Sequence, residues 1–457
     1  MAGYGSLQQL EAADSSNRQK KTFADVMVDF GFLGFVSFGG TGANIAMLRE
    51  KLIDKRYLTN AGFAEVFALA NCLPGPSATQ VALNGVTMGT GSMWAGILSA
   101  LLFMGPAAIV LGTLGVWVGG GNDEGSDFMF IPWVVSVQEG VGLAAISIVA
   151  VGAYELTKKL VTTQLTMVVF AATVVVTVAA EKVWWSTPLC LVCGGLATLA
   201  HWYASERISA NLNVDNTVAN KVEISEEDAE SSPGSQTLSA RSGAVLFALP
   251  WALLVLCFGI EFFNPSAMSS TSGTGLGVIS IFYRCGSLVF GGGPVVVPIL
   301  LNELEPSGLL SPRQFLLGFG AVNILPGPLF NVAAFCGGII GGVGGAFACW
   351  CAMMLPGIVM AVGALPIWSS IRNNHAMNAF LAGVNASASG LMTAAFVGLW
   401  LTLVVDANTS ETVGAVALPS SAKAATILAF VSIQAIFKVK SHWVVFLGAL
   451  FGLAAVL

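Results

Sequence analysis

Long apolar runs are the feature that most limits the folds open to this chain. A helix needs about 20 apolar residues to cross the hydrocarbon layer of a bilayer. The 457-residue sequence is 55% hydrophobic and only 10% charged, far from the composition of soluble domains. We therefore predict an all-α, multi-pass integral membrane protein. The apolar runs lie at 93–118, 132–154, 161–180, 184–203, 243–263, 343–368, 377–404, 421–437 and 442–457.

Two copies of the sequence Leu-Pro-Gly-Pro interrupt this apolar sequence, at 73–76 and 325–328. Proline lacks the amide donor and clashes with the preceding helical turn, so each copy ends a helix. Within hydrocarbon, the backbone groups that such a break frees need partners. Each copy therefore predicts a broken helix whose backbone is bound by neighbouring helices or by a ligand.

The two copies belong to a longer internal repeat. A shift of 252 residues places the Phe-Gly-Gly at 38–40 on the Phe-Gly-Gly at 290–292. The same shift, without a gap, places the first Leu-Pro-Gly-Pro on the second. Two glycine and proline signatures in one register are not expected by chance, so we predict that one structural unit is used twice.

A hydrophilic, acidic segment at 204–242 divides the chain into halves. The residues before the first apolar segment are polar and lack the apolar core of a signal peptide. The predicted organisation is a polar cytoplasmic N-terminus at 1–21, a first repeat at 22–203, a cytoplasmic linker at 204–242, a linking transmembrane helix at 243–263 and a second repeat at 275–457.

Charge in matching loops predicts how the repeats are oriented. The stretch 49–56 carries four basic residues, whereas the matching stretch 301–308 carries two glutamates and no basic residue. Short basic loops stay on the cytoplasmic side. We therefore predict inverted-topology repeats, joined by one odd linking span. In the first repeat, the broken segments at 24–48 and 62–90 are expected to be re-entrant hairpins that enter from the cytoplasm.

The helix that follows each Leu-Pro-Gly-Pro begins with backbone amides that no earlier turn can pair. Such a helix end carries roughly half a positive charge and favours an anion. Inverted repeats with Gly/Pro-interrupted spans also place transport sites near the bilayer midplane. We therefore predict a site for a small multivalent anion. Its amide donors belong to Ser77, Ala78, Thr79, Leu329, Phe330 and Asn331.

Glycines of the Phe-Gly-Gly motifs permit a ligand to approach the chain closely. The glycine pairs at 341–342 and 344–345 are instead predicted to serve helix packing. The helix-breaking residues are Pro74, Pro76, Pro326 and Pro328. The predicted substrate-binding residues are Ser37, Gly39, Gly40, Thr41, Asn71, Gly75, Ser77, Thr79, Arg284, Gly291, Gly292, Gly293, Asn323, Gly327 and Asn331.

Few charged residues lie within apolar sequence, and such residues are functional candidates by default. Arg284 precedes the second Phe-Gly-Gly, where it either binds the anion or pairs with an acid. Glu65 precedes the first Leu-Pro-Gly-Pro by two turns and is a proton-coupling candidate, because desolvation raises the pKa of a carboxylate. A structural salt bridge from Glu65 to Arg56 or Arg313 is equally compatible with the sequence. Weaker candidates are Asp25, Asp29, Glu139 and Glu155.

The sequence favours no catalytic chemistry. No Ser/His/Asp set, paired histidine ligands or carboxylate dyad falls within one apolar face, so we predict no enzyme, no metal and no cofactor. A Gly-Lys-Ser/Thr phosphate loop is absent from the sequence, which argues against ATP-driven pumping. The expected partners are the anion and the lipid bilayer, with no nucleic acid. The glycine-rich spans suggest a homodimer.

Several stretches together resemble the chromate ion transporter family. They are Phe-Val-Ser-Phe-Gly-Gly-Thr-Gly-Ala-Asn-Ile-Ala-Met at 35–47, Arg-Tyr-Leu at 56–58, Phe-Ala-Glu at 63–65 and Leu-Pro-Gly-Pro-Ser-Ala-Thr-Gln at 73–80. Members of that family carry Ser-Phe-Gly-Gly-Pro with a following His-Ile, then Arg-Trp-Leu, then Leu-Pro-Gly-Pro followed by small hydroxyl residues and Gln. Because the resemblance covers both halves, the chain is similar to the long, two-domain form.

The chain departs from this family pattern at a few positions. Thr41-Gly42 stands in the usual Gly-Pro region, Asn44 replaces the usual histidine and Tyr57 replaces tryptophan. The proline occurs in the second copy, as Pro294. These departures leave the substrate preference and the direction of transport open.

The resemblance implies a secondary transporter of chromate and of sulfate, which has the same tetrahedral shape and charge. Such a protein is expected to work by alternating access in the plasma membrane, coupled to protons or to exchange of another anion. An anion channel on the same inverted scaffold is the alternative, because helix-terminal amides serve conduction as well as transport.

Overall fold

A computed structural model describes residues 21–38, 40–120, 132–179, 186–211, 238–263, 275–290, 295–304, 307–368, 374–401 and 419–454. Within these ranges all regular structure is helical, as the composition predicts. The helices are α1 Phe23–Phe30, α2 Leu33–Val36, α3 Gly40–Asp54, α4 Asn60–Cys72, α5 Ser77–Thr90, α6 Met93–Gly119, α7 Pro132–Leu160, α8 Gln164–Ala179, α9 Ser186–Asn211, α10 Ala240–Phe263, α11 Leu276–Leu288, α12 Val296–Leu304, α13 Pro312–Ile324, α14 Val332–Ala364, α15 His375–Trp400, α16 Ser420–Phe437 and α17 Ser441–Ala454. Two 3-10 turns, Leu329–Asn331 and Leu365–Ile367, flank α14.

The described helices confirm the prediction of a multi-pass membrane protein. By length and composition, 6 of them can cross a membrane: α6, α7, α10, α14 with its flanking turns, α15 and α16. Shorter apolar helices include α8 and α17. We refer to α1–α9 as the first half and to α11–α17 as the second half, with α10 between them.

The first arms of the two Leu-Pro-Gly-Pro segments are matching short helices. α4 and α13 each have 13 residues, so each is about 20 Å long and too short to cross a bilayer. A side-chain cap begins each helix. The Thr59 hydroxyl accepts from the Gly62 amide, and the Ser311 hydroxyl accepts from the Gln314 amide. Both end two residues before the first proline of the motif, because the residue preceding proline is excluded from the α region.

In both halves, the helix that follows Leu-Pro-Gly-Pro ends at a glycine turn. In the first half, Gly91 adopts a φ of +70° and separates α5 from α6. In the second half, Gly341 and Gly342 have non-helical φ and ψ and divide α14 into two helical arms at the corresponding place. The two arms pack against each other, because a Cβ at Gly337 would meet the Gly345 carbonyl. Gly342 has a φ of +61°, and no atom lies within 4 Å of a Cβ placed there. The prediction that this glycine serves helix packing is therefore wrong, because its role is to allow the turn.

Other glycines bring α6 and α14 into close contact. A Cβ at Gly338 would lie 2.8 Å from the carbonyl oxygen of Gly112, and a Cβ at Gly119 would lie 2.5 Å from the Cα of Ile339. Only small residues permit this approach of two helix backbones. Glycines that suggested a homodimer are thus used for contacts within the chain, and the homodimer stays an untested prediction.

The remaining long helices cross between the halves. α7 packs on α17 of the other half, with Ser136 opposite Gly452 and Ala144 opposite Gly448. Position numbers rise along one helix as they fall along the other, so this pair is antiparallel. α9, the last helix of the first half, packs on α15 of the second half in the same antiparallel manner. There the Ser387 hydroxyl donates to the Cys190 carbonyl at 2.9 Å.

Candidate functional site

The two Leu-Pro-Gly-Pro breaks are tied to the opposite halves of the chain. The Gly75 amide donates to the Val289 carbonyl at 2.8 Å, and the Gly327 amide donates to the Ser37 carbonyl at 2.9 Å. Val289 and Ser37 are equivalent in the repeat, and each stands just before its Phe-Gly-Gly. The glycine of each Leu-Pro-Gly-Pro therefore donates a hydrogen bond to the residue before the Phe-Gly-Gly of the other half, and the two bonds are reciprocal.

Glycine is required at both positions of this exchange. Gly75 has a φ of +109° and Gly327 a φ of +120°, which side-chain-bearing residues rarely adopt. Each glycine also lies against a long helix. A Cβ at Gly75 would be 2.8 Å from the Cα of Gly357 on α14, and a Cβ at Gly327 would be 3.3 Å from the Cβ of Ala107 on α6. The breaks thus meet mid-helix segments that contain Pro106 in α6 and Pro356 in α14.

Buried amide side chains secure both breaks to these helices. The Gln80 Nε2 donates to the Pro74 carbonyl at 2.7 Å and to the Gly357 carbonyl at 3.0 Å. In the second half, the Asn331 Nδ2 donates to the Met104 carbonyl at 2.9 Å, and its oxygen accepts from Trp350 Nε1 at 2.9 Å. Gln80 and Asn331 are one position out of register in the repeat. Each nevertheless bonds a break of its own half to a backbone carbonyl of a long helix in the other half.

Asn44 extends this network from α3. Its Nδ2 donates to the Gly327 carbonyl at 3.3 Å, so Asn44 holds the carbonyl of Gly327 while the Ser37 carbonyl holds its amide. Both side chains are only 1% exposed. α3 begins at Gly40, and half-buried Thr41 lies in its first turn. Ser37 and Asn44, which lie on either side of the first Phe-Gly-Gly, therefore both contact Gly327 of the second Leu-Pro-Gly-Pro.

Several polar atoms in this region are buried without a hydrogen-bond partner. Among the described residues they include Ser37 Oγ, Asn44 Oδ1, Thr79 Oγ1, Gln80 Oε1 and both amide atoms of Asn84. Buried polar groups in folded proteins are nearly always paired with protein, water or ligand. A concentration of such atoms beside two helix breaks is therefore a candidate binding site.

Two helical segments begin directly after the Leu-Pro-Gly-Pro breaks. α5 begins at Ser77 after Pro76, and the 3-10 turn that leads into α14 begins at Leu329 after Pro328; neither start has a side-chain cap. Uncapped helix starts leave amide donors and a partial positive charge. Ser77 and Thr79 are both buried here, whereas Asn331 is engaged as described above. Of the breaking prolines, only Pro326 is partly exposed.

Asn71 and Asn323 occupy equivalent positions one turn before the breaks. Each donates its side-chain nitrogen to the carbonyl four residues earlier, Phe67 at 2.9 Å and Phe319 at 2.7 Å. Asn71 is exposed and Asn323 partly exposed. Each side chain thus lies along its own helix, at the end that runs into the break.

The charged candidates have partners of differing kinds. Arg284 is 2% exposed and pairs with Glu303 of α12 at 2.7 Å, so it meets an acid, one of the two alternatives that the sequence left open. The Phe258 ring lies 5.3 Å from its guanidinium. Glu65 is partly exposed on α4. Gly39 and the Gly291, Gly292 and Gly293 run lie outside the described residues.

Another ion pair lies near the first Phe-Gly-Gly. Buried Asp29 of α1 pairs with Lys55 at 3.4 Å and accepts from the Tyr57 hydroxyl at 3.1 Å. Burial, and then the Asp29 charge, raise the pKa of Tyr57, which lies in the loop after α3. Tyr57 therefore stays a hydrogen-bond donor at physiological pH.

Sequence reasoning missed several residues that the fold brings into play. Asn44 was noted only as a departure from a family pattern, and Gln80 only as the end of a motif; Asn84 was not noted. Lys423 was also missed, and it forms a 2.7 Å ion pair with Glu139 between α16 and α7. Amide and charged side chains within apolar helices were the available signal, since burying them unpaired is costly.

These features define an integral, multi-pass membrane protein whose two halves interlock at broken helices. The sequence profile described as chromate transporter matches residues 24–199 and 276–453, which cover more than half of the chain and both repeats. The chain belongs to the chromate transporter family. It is accordingly an ion transporter, and the family match favours a transporter over an enzyme.

Relatives support this assignment along most of the chain. The sequence is 28% identical over 407 residues to a probable chromate transport protein of Synechococcus elongatus, covering 86% of this chain and 88% of that protein. It is 29% identical over 400 residues to a chromate transport protein of Cupriavidus metallidurans, covering 85% of each. A chromate transport protein of Pseudomonas aeruginosa is 25% identical over 372 residues, which cover 80% of this chain and 78% of that protein. No solved structure matches the chain.

Proposed function

We propose that the chain is a secondary active transporter of a tetrahedral oxyanion, chromate or sulfate, in the plasma membrane. The supporting observation is the pair of reciprocal hydrogen bonds, each of which joins the glycine of one Leu-Pro-Gly-Pro to the residue that precedes the Phe-Gly-Gly of the other half. Uncapped helix starts and buried hydroxyls at that place supply hydrogen-bond donors, which an oxyanion requires. The substrate named for the relatives is chromate.

Alternating access follows from this arrangement if the halves are inverted. The antiparallel packing of α7 on α17, and of α9 on α15, supports inversion. In each half, α7 and α9, or α15 and α17, are separated by one intervening helix and are expected to run in the same direction. Halves of equal orientation would make α7 parallel to α17. Opposed halves around one site are the arrangement in which one unit rocks against the other.

The substrate is expected at the meeting point of the breaks. We assign binding to the amides and hydroxyls around Ser37, Thr41, Ser77 and Thr79, with the Phe-Gly-Gly glycines of both halves close to the ligand. Asn71 and Asn323 are proposed to contact substrate as it enters, because each stands at a helix end that leads into a break. Glu65 stays a proton-coupling candidate, and Arg284 is proposed to act on the site through its pairing with Glu303.

Uptake of labelled chromate and sulfate into proteoliposomes, with and without a proton gradient, tests the proposal. We expect saturable uptake that Asn71→Ala and Asn323→Ala each reduce about tenfold, since a hydrogen bond to a charged group contributes roughly 1.5–3 kcal/mol. Asn378→Ala is the matched control, because Asn378 is an exposed asparagine of α15. Unchanged uptake in both variants would remove these residues from the site, and large non-saturating currents would indicate a channel.

A further inference from the structure

A tethered amide with an unpaired oxygen stands at each Leu-Pro-Gly-Pro break. At the first break, Gln80 donates its nitrogen to the Pro74 and Gly357 carbonyls, while its Oε1 has no hydrogen-bond partner. At the second, Asn44 donates its nitrogen to the Gly327 carbonyl, while its Oδ1 has none. Gln80 is 0% exposed and Asn44 is 1% exposed.

The tether fixes which atom of each amide is left over. A backbone carbonyl can only accept a hydrogen bond, so the side-chain nitrogen must face it and the oxygen must face elsewhere. Rotating the amide would set oxygen against oxygen and lose the bonds that hold the break. Gln80 Oε1 and Asn44 Oδ1 are therefore acceptors in any state that keeps these contacts.

A hydroxyl without a partner accompanies each free acceptor. Thr79 precedes Gln80 on α5, and the Ser37 carbonyl accepts from the amide of Gly327, the residue whose carbonyl accepts from Asn44. Thr79 is 0% exposed and Ser37 is 1% exposed, and neither hydroxyl oxygen has a hydrogen-bond partner. Each break therefore has one amide oxygen that can only accept and one hydroxyl that can donate or accept. The uncapped helix start that follows each break adds backbone amides that donate.

A ligand that satisfies this set must both accept and donate hydrogen bonds. A fully deprotonated tetrahedral dianion such as sulfate has only acceptor oxygens, so a buried amide oxygen beside it would be unpaired and repelled. A singly protonated oxyanion carries an O–H group that can donate to that amide oxygen while its other oxygens accept from the helix start.

We propose that the site recognises the protonated form of its oxyanion, hydrogen chromate or another hydrogen oxyanion of the same shape, and discriminates against sulfate through Gln80 and Asn44. This inference rests on the proposed oxyanion site at the breaks and narrows its substrate class. Hydrogen chromate and chromate interconvert near neutral pH, whereas sulfate stays a dianion throughout the physiological range.

Titratable groups of the protein must be separated from titration of the substrate. Neither α5 nor α6 contains a charged side chain or a cysteine. On α3, α4 and α11–α14, which pack around the breaks, the charged and titratable groups are Glu65 and Cys72 on α4, Arg49, Glu50, Lys51 and Asp54 on α3, Arg313 on α13, Tyr283, Arg284 and Cys285 on α11, Glu303 on α12, and Cys336, Cys349 and Cys351 on α14. The helices α1 and α10, which pack on α6 and α14, add Asp25, Asp29, Arg241 and Cys257.

The wild-type protein provides the first test. Initial uptake of chromate at fixed total concentration is measured in proteoliposomes from mildly acidic to mildly alkaline pH, with equal pH on both sides. Uptake is expected to fall about tenfold for each pH unit above the pKa of hydrogen chromate. Sulfate is expected to compete weakly at every pH, and dihydrogen phosphate to compete better. Uptake that does not fall with rising pH, or sulfate uptake with the same pH profile, would overturn the proposal.

Two variants test the residues. Gln80→Leu and Asn44→Leu remove the acceptor and are expected to reduce the preference for chromate over sulfate at least about tenfold each. The preference is a ratio, so it is measurable even where less protein is folded. Gln434→Leu is the matched control, because Gln434 is a buried amide with an unpaired oxygen on α16, away from the breaks. A ratio unchanged in both variants contradicts the assignment.

Failure of this inference can be told apart from failure of the proposed function. Chromate uptake that is independent of pH and equally inhibited by sulfate would agree with the proposed transport function. It would refute the proposed preference for the protonated oxyanion. The converse outcome is that dihydrogen phosphate, and not sulfate, stabilises the purified full-length protein against heating, while the protein transports no oxyanion. That result would support recognition of a protonated oxyanion and overturn oxyanion transport.

Discussion

Single residues at the breaks combine a backbone task with a binding task. Gly75 and Gly327 supply the positive φ that lets the chain turn, and their amides reach across to the other half. Gln80 and Asn44 then hold the carbonyls that the prolines leave exposed. In hydrocarbon every such group needs a partner, so the amide side chains both repair the break and orient their own free oxygens.

Replacing the break glycines is expected to destabilise the fold. Gly75→Ala and Gly327→Ala should each cost about 1–3 kcal/mol from backbone strain. Gly75→Ala should be the worse of the two, because its Cβ would lie 2.8 Å from backbone and the nearest atoms to a Gly327 Cβ lie at 3.3 Å. Thermal unfolding in detergent measures this order, with Gly259→Ala as control, since no atom lies within 4 Å of a Cβ there. Equal stability of all three variants would contradict the strain argument.

Helices are joined here by glycine contacts and by a few buried ion pairs. Glu139 of α7 and Lys423 of α16 form a 2.7 Å pair, with Lys423 only 7% exposed. Arg284 and Glu303 form another between α11 and α12. Desolvation offsets much of the attraction in such pairs, but an isolated partner left behind is strongly unfavourable. The pairs therefore specify which helices meet more than they add stability.

Removing one partner of the α7–α16 pair is expected to cost more than removing both. Lys423→Met leaves the Glu139 carboxylate unpaired and should destabilise the protein by about 3–5 kcal/mol. The double variant Lys423→Met with Glu139→Gln should recover most of that loss. Unfolding temperatures of the single and double variants decide this, with Lys440→Met, at an exposed position, as control. A double variant as unstable as Lys423→Met would show that the pair is not the cause.

Contacts between the two halves determine the architecture of the whole molecule. Each Leu-Pro-Gly-Pro closes on the opposite half, and α7 and α15 each pack on the last helix of the other half. The predicted opposed orientation of the halves would account for the antiparallel crossings and for the basic and acidic loops at matching positions.

Sidedness of three loops tests this architecture. Tags placed within 119–130 and within 406–420 are expected to react with an impermeant label from outside the cell, and a tag within 204–242 only after the membrane is opened. The reason is that an odd number of spans separates the linker from each of the other two loops in the inverted arrangement. Tags at 119–130 and 204–242 reacting from the same side would refute it.

Much of this architecture follows from the sequence alone. Hydropathy and proline chemistry act within a few residues, so apolar runs, the repeat and the ends of α4 and α13 were predictable from local sequence. Only the tertiary structure decided that Gly75 reaches Val289, that Asn44 holds Gly327, and that Glu139 meets Lys423. These contacts join residues more than two hundred positions apart, and helix packing selects them from many partners of similar polarity.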